Sequence, residues 1–396
     1  MTPFLILCLT GFLAIFSSTL SKSPVLPLFA AHLGAGPTGI GMVAAVSAFT
    51  GIIASIPAGM LSDRWGRRRM LLLSALVFAT APPLYLLVTN LWQLALVRFY
   101  HGFATALFIP VSLALIADLF HGERGERMGW FSTATLLGRF LAPLVGGALL
   151  GGLAAAPFLS FRVVYGLCSL GGMMALLLAL RLPDTRDPAH QPGSRADTFR
   201  AFRSVLANRA IMLTAMMEAA ILFAFGTFET FLPLHAMAQG ISAYGIGVFL
   251  SSQMIVLALS KPALGRFSDR HGRRGQIIGG ALIGACAMAA LSRCTTFIPL
   301  LLTSAFFGFS LSVLTSATAA RIADLSRRET YGSAMGMLGS VMDIGHTTGP
   351  LAAGLIAASC GFGMAFVGAS VILLTAAGLF ALVPASNISE AFRPDA

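Results

Sequence analysis

Apolar residues run through this chain in blocks of about twenty, each closed by a short polar turn, and a block of that length crosses a bilayer core as one helix. The blocks predict spans near 4–30, 38–62, 70–90, 92–118, 128–152 and 163–182. A second set is predicted near 211–236, 243–264, 276–292, 297–323, 331–356 and 362–384, and the long polar stretch 183–210 separates the two. The expectation is an all-α integral membrane protein of 12 transmembrane helices, six in 1–182 and six in 211–396, with 183–210 as a central loop. Inside that loop Asp197 suits a helix N-cap, and Phe199, Phe202 and Leu206 fall on one face with arginines elsewhere. That pattern predicts a short helix lying on the membrane surface.

The two sets repeat each other at a fixed offset. Leu26-Pro27-Leu28 returns as Leu232-Pro233-Leu234, Gly39-Ile40-Gly41 as Gly245-Ile246-Gly247, and Ile116-Ala117-Asp118-Leu119 as Ile322-Ala323-Asp324-Leu325, each displaced by 206 residues. Chance matches do not share a displacement. A duplicated six-helix unit entering the membrane from the same side predicts two six-helix bundles related by pseudo-twofold symmetry about the membrane normal, with a site between them.

Composition agrees with lipid as the solvent. Of the 396 residues 57% are hydrophobic and 10% charged, against roughly a quarter charged in a soluble domain. The formal charge of +11 raises the question of nucleic acid, and the position of the arginines answers it. Arg67, Arg68, Arg69, Arg124, Arg127, Arg181, Arg270, Arg273 and Arg274 all fall in alternate loops, whereas Arg162 and Arg293 fall opposite. The positive-inside rule then makes the crowded side cytoplasmic, with both termini there, and no nucleic-acid partner is implied. The first apolar run lacks a basic n-region and a small-residue cleavage site, so it reads as a retained helix. The five cysteines show no metal or redox spacing.

Two loops carry the same motif. Gly59 to Arg69 reads GMLSDRWGRRR, with Gly59, Asp63, Arg64, Gly66 and Arg67 at its key positions. Gly265 to Gly275 reads GRFSDRHGRRG, with Asp269, Arg270, Gly272 and Arg273 in the equivalent places. Gly66 permits a tight turn, and Asp63 is able to accept hydrogen bonds at a neighbouring helix N-terminus. This spacing resembles the signature loop of the major facilitator superfamily, and span count, duplication and central loop extend the resemblance over the whole chain. The resemblance implies the major facilitator fold, a loop that latches the halves during switching, and Asp118 (repeated as Asp324) as the partner of the arginines.

Two further elements are similar to ones in that family. Arg98 and Gly102 in span four match its R-x-x-x-G element, which the resemblance associates with proton-coupled members, and His101 lies three residues on, on the same face. Span five reads Gly138-Arg139-Phe140-Leu141-Ala142-Pro143-Leu144-Val145-Gly146-Gly147, similar to the family's antiporter element with Ala142 in place of its central glycine. Gly138, Ala142 and Gly146 also make a smooth face for close helix packing. Span eleven carries the related Gly349-Pro350.

Ionisable residues inside spans point to a pathway, because they are expensive in lipid and face an interior or a partner. Lys22 lies in a serine-rich stretch of span one, Glu218 and Glu229 stand 11 residues apart in span seven, and Asp343 and His346 share a face in span eleven. Lys22, Arg98 and Arg139 give the first half cations, whereas Glu218, Glu229 and Asp343 give the second half carboxylates, an asymmetry suited to an anionic or zwitterionic solute. Structural ion pairs are the competing reading of each. His32 and His235, near the outer span ends, read as surface histidines.

No phosphate-binding G-x-x-x-x-G-K-[ST] occurs, nor HExxH or a nucleophile elbow. The chain is therefore expected to be no enzyme and to need no metal or cofactor. It is expected to be a monomer in the bilayer of a bacterial inner membrane, moving a small-molecule solute by alternating access, with protons as the coupling partner and efflux as the direction. The alternative is a uniporter or proton symporter importing a polar or anionic solute.

Overall fold

The computed structural model describes residues 2–120, 122–183, 203, 205–326 and 331–383, and for 55–61, 63, 64 and 331–333 it describes the backbone alone. The described chain is helical: α1 (Pro3–Leu20), α2 (Val25–His32), α3 (Pro37–Trp65), α4 (Arg67–Tyr85), α5 (Leu91–Leu119), α6 (Arg124–Gly152) and α7 (Pro157–Ala179). After the central stretch come α8 (Arg209–Ala238), α9 (Ala243–His271), α10 (Arg273–Leu291), α11 (Phe297–Leu325), α12 (Tyr331–Cys360) and α13 (Phe362–Leu382). Ten helical stretches among the described residues are long and apolar enough to cross a membrane, with Pro3–His32 counted as one of them. The helices α4 and α12 lie outside those ten. Large apolar side chains such as Leu259, Trp92 and Leu382 point outward, as the lipid-facing surface of a spanning helix requires.

Local chemistry sets the helix ends. Thr2 Oγ1 accepts from the Leu5 amide to start α1, and Asn90 Oδ1 accepts from the Gln93 amide to start α5. Proline opens α1, α3 and α7, where its missing N–H costs nothing. Gly66 joins α3 to α4 at φ 89°, and Gly272 joins α9 to α10 at φ 87°. Both are in the left-handed region that favours glycine, and they sit at equivalent places in the repeat.

The first predicted span is broken. Helix α1 stops at Leu20, the amides of Lys22 and Ser23 both donate to the Thr19 carbonyl, and α2 resumes after Pro24. Pro24 has no N–H to carry the ladder on, and the flanking serines compete for local hydrogen bonds. Lys22 is thereby left in an irregular turn rather than on a helix face.

Small residues let helices touch backbone to backbone. A Cβ on Gly138 would meet the Phe12 carbonyl oxygen at 2.9 Å and the Phe16 nitrogen at 3.0 Å, so α6 presses directly on α1. The repeat does the same: Gly345 and Gly349 of α12 lie against the Ala219 and Phe223 carbonyls of α8. Ala142, Pro143 and Gly146 of α6 are buried too, and a Cβ on Gly226 would meet Pro350 Cδ at 2.8 Å.

By packing, the described parts of 1–192 and 229–251 form one compact unit, and those of 193–228 and 252–396 form another. The hairpin between α8 and α9 thus packs with the first set of helices. One core centres on Phe78, Phe108, Phe131 and Leu115. A smaller cluster in the second unit joins Val205, Ile211, Ala215, Ile322, Ala334 and Leu338. Of the predicted surface helix, 197–202 and 204 lie outside the described residues. Residues 205–207 are helical with Val205 buried and Leu206 45% exposed, so Val205, one position from the expected apolar face, is the anchor.

Candidate functional site

Two charged side chains meet in the first compact unit, and a third lies within electrostatic reach. Lys22 Nζ lies 2.7 Å from the Glu229 carboxylate, and both side chains are largely shielded. Arg139, halfway along α6, lies within electrostatic reach of the same carboxylate. It is exposed and makes no hydrogen bond among the described residues. Ser17, Ser21 and Ser23 are buried around the break that carries Lys22. Ser17 Oγ donates to the Cys168 carbonyl of α7 and Ser21 Oγ to the Ser18 carbonyl, so these hydroxyls hold the turn in place.

Near Arg139 the contact between α6 and α9 is tight. A Cβ on Gly147 would meet the Ala243 carbonyl at 2.6 Å and Gly247 Cα at 2.9 Å, and Gly247 lies against the Pro143 carbonyl. Ser251 Oγ donates to the Phe140 carbonyl at 2.8 Å. Arg139 stands immediately beside this seam, on the side nearer the start of α6. In the sequence Gly247 entered only as part of the repeat, and Ser251 was not singled out. Their signal is smallness at one face of α9, which reads as packing until a partner helix is known.

Glu218 is in different surroundings from Glu229. It is 2% exposed and its carboxylate accepts from Thr318 Oγ1 of α11. Among the described residues it makes no ion pair. The 11-residue spacing does set the two glutamates on one face of α8, but they belong to separate compact units and meet different partners. Asp343 and His346 are half-buried on α12, and the His346 ring meets Phe225 of α8 edge-on at 5.3 Å.

Arg98 and His101 form a third cluster. Both are buried, at 2% and 1% exposure. Arg98 Nη1 donates to Tyr85 Oη at 3.4 Å, and Tyr85 Oη is 3.2 Å from His101 Nδ1. The Tyr85 ring stacks on Tyr165 at 4.5 Å. Arg98 Nε, His101 Nε2 and Tyr165 Oη find no hydrogen-bond partner among the described residues. Arg98 is thus enclosed by α4, α5 and α7, and does not join Lys22 and Arg139 in one cationic wall as its sequence position suggested. His235, expected at the surface, is 6% exposed, because the end of α8 packs within the first unit.

The duplicated loops make the same contacts twice. Arg67 Nε pairs with Asp118 at 3.1 Å and its Nη1 donates to Ser62 Oγ. Arg273 pairs with Asp324 and with Asp269, the latter at 3.0 Å, and donates to Ser268 Oγ. Arg270 is exposed. Next in line, Arg68 donates to the Leu180 and Leu182 carbonyls, and Arg274 to those of Ala381 and Val383, so each caps the end of its unit's last helix. These contacts stay within a unit. Gly59, Asp63 and Arg64 are described by their backbone alone. No group of three metal-binding side chains occurs among the described residues.

Comparison with known proteins places this geometry in a family. The model of the Major Facilitator Superfamily matches residues 7–252 and 238–392. The chain is 30% identical over 367 residues to multidrug resistance protein MdtG of Citrobacter koseri, covering 89% of this chain and 88% of that protein. It is 25% identical over 340 residues to an uncharacterized MFS-type transporter of Methanocaldococcus jannaschii, covering 85% and 86%. The crystal structure of a bacterial homolog of the human lysosomal transporter Spinster superposes with a TM-score of 0.84 at 18% identity, over 99% of this chain and 98% of that one. The chain belongs to the Major Facilitator Superfamily. It is a multi-pass membrane transporter, and it is not an enzyme.

Proposed function

We propose that this member of the Major Facilitator Superfamily is a secondary transporter that exports a small organic solute in exchange for protons. The observation that carries the reading is Glu218, a carboxylate buried inside a spanning helix and bonded to a hydroxyl, with Lys261 within electrostatic reach but in no ion pair with it among the described residues. A group in that setting changes its charge by taking or releasing a proton, and ionisable groups inside membranes mark ion and proton pathways. The 30% identical relative is a multidrug resistance protein, which supports export as the direction. On this reading the Arg67–Asp118 and Arg273–Asp324 pairs hold the cytoplasmic helix ends together in one state of the cycle.

The test is flux in proteoliposomes with an imposed pH gradient, using tetraphenylphosphonium, 4-phenylbutyrate and 4-phenylbutyramide as cationic, anionic and neutral probes. Glu218→Gln is expected to remove the pH-driven component of flux and to preserve solute exchange. A full response to the gradient in Glu218→Gln, Glu229→Gln and Asp343→Asn alike would exclude all three carboxylates as the proton carrier.

A second reading is favoured by the Lys22–Glu229 ion pair with Arg139 beside it. Cations at a break between spanning helices suit an anionic solute, and a carboxylate beside them suits a proton moving with it.

A further inference from the structure

The two copies of the repeat agree at the arginine-rich ends of their helices and then part at one position. Arg67 and Arg273 each pair with an aspartate, Asp118 or Asp324, and Arg68 and Arg274 each cap a last helix. Three residues before those aspartates the first copy has Leu115, wholly buried in the core around Phe78 and Phe108. The second copy has Arg321 there. The fold therefore needs only an apolar residue at this place, and the cation is an addition to it.

Arg321 is half-buried on α11, about one turn from its end at Leu325. Its guanidinium carbon stands 6.0 Å from the centre of the Phe380 ring of α13. It makes no hydrogen bond or ion pair among the described residues, and its Nε is shielded from solvent. Asp324 is within electrostatic reach, but so are two like charges, Arg273 and Arg274. Asp324 is already engaged by Arg273, as is Asp269, and Arg274 is spent on the Ala381 and Val383 carbonyls. A guanidinium with its fork of donors unused beside two other arginines calls for an anion, and the fork matches a phosphate.

Depth in the bilayer selects the kind of phosphate. Helix α11 has 29 residues and is about 43 Å long, so centred in a hydrocarbon core of about 30 Å it overhangs by about 7 Å at each end. Arg321, about 6 Å from the end, is therefore level with the border of the core, where the phosphates of a leaflet lie. Beside Phe380, Leu379 and Leu382 are 61% and 79% exposed and give acyl chains an apolar wall. Basic pockets between spanning helices at this depth take lipid headgroups.

We propose that Arg321, in the field of Arg274, holds the phosphate of an anionic phospholipid from the leaflet that these helix ends face. The headgroup then joins the end of α11 to the end of α13, a bond for which the first copy has no counterpart. This inference is independent of the direction of transport and of proton coupling.

The experiment is titration of the purified full chain with phosphatidylglycerol and phosphatidylcholine of identical acyl chains, read by native mass spectrometry, with sodium phosphate as the probe that lacks chains. Phosphatidylglycerol is expected to bind about five- to tenfold tighter than phosphatidylcholine, and Arg321→Met to remove about fivefold of its affinity. Arg321→Lys is expected to keep part of the preference. Arg270→Met, which removes an exposed arginine of the same unit, is expected to change it by less than about twofold. In phosphatidylcholine nanodiscs Arg321→Met is expected to unfold at or above the wild-type temperature, since it removes a half-buried charge where the first copy has leucine. Replacing that lipid by phosphatidylglycerol is expected to raise the unfolding temperature of the wild type more than that of the variant. Equal affinity for the two lipids would overturn the proposal. An equal loss in Arg270→Met would do so too, by showing general attraction to an anionic surface. Displacement of phosphatidylglycerol by sodium phosphate would make the ligand a free anion. A lower unfolding temperature of Arg321→Met in phosphatidylcholine would mean that the protein itself supplies the partner of Arg321, and would also overturn it.

Discussion

Tyr85 is the residue on which the buried Arg98–His101 cluster depends. Its hydroxyl is the described partner of both Arg98 Nη1 and His101 Nδ1, and each of those side chains already has a second nitrogen without a protein partner. Tyr85→Phe is expected to destabilise the protein by about 1–3 kcal/mol, because it strips a hydrogen bond from two desolvated groups at once. Tyr100→Phe is the comparison, since the Tyr100–Thr80 bond is at the surface and its loss is expected to cost under about 0.5 kcal/mol. Thermal unfolding in detergent checks both, and equal effects would mean that Tyr85 is not the hub. Sequence alone gave the pairing of Arg98 with His101 on one helix face, because three residues is a local spacing. It gave no hint of Tyr85 or Thr318. Those partners come from other helices, and a lone tyrosine or threonine in an apolar run looks the same whether or not a charge lies opposite.

Most of the helices were legible in the sequence, since lipid forces every backbone polar group into a helix and long apolar blocks allow little else, although the predicted spans 70–90 and 331–356 are helices outside the ten apolar enough to cross. The predicted 92–118 is Leu91–Leu119, and the predicted 297–323 is Phe297–Leu325. The break at Lys22 was hidden, because Ser21 to Pro24 is too short to interrupt a hydropathy block. Contacts between helices were legible only where small residues recur. Gly349 is the sharpest case, with the Phe223 carbonyl of α8 where its Cβ would stand. Gly349→Ala is expected to push α12 from α8 and cost about 1–3 kcal/mol through overpacking. Gly336→Ala in the same helix meets nothing within 4 Å and is expected to stabilise by up to about 1 kcal/mol through helix propensity. Opposite shifts in unfolding temperature for the two variants support backbone contact as the basis of α8–α12 packing, and parallel shifts refute it.

At the scale of the whole molecule the repeat governs what is seen. The loops at Gly66 and Gly272 share a backbone conformation, Arg67 and Arg273 reach an aspartate 51 residues on, and Arg68 and Arg274 cap the final helix of their own sets. Such agreement arises when one folding unit is used twice in the same orientation, and it makes topology a property of both halves together. The arginines of these loops cannot cross the bilayer cheaply, so the side that holds them is predicted to be the cytoplasm. None of the five cysteines forms a disulfide among the described residues, and replacing them by alanine gives a background for labelling. Gly122→Cys stands in an exposed turn between α5 and α6, beside Arg124 and Arg127, and meets nothing within 4 Å. Thr296→Cys stands exposed between α10 and α11, on the side with few arginines. In intact cells a membrane-impermeant maleimide is expected to label position 296 and spare position 122, and in inverted vesicles the pattern is expected to reverse. Labelling of position 122 from outside would invert the topology. It would put the duplicated arginine loops on the outer face, where the positive-inside rule gives no account of them.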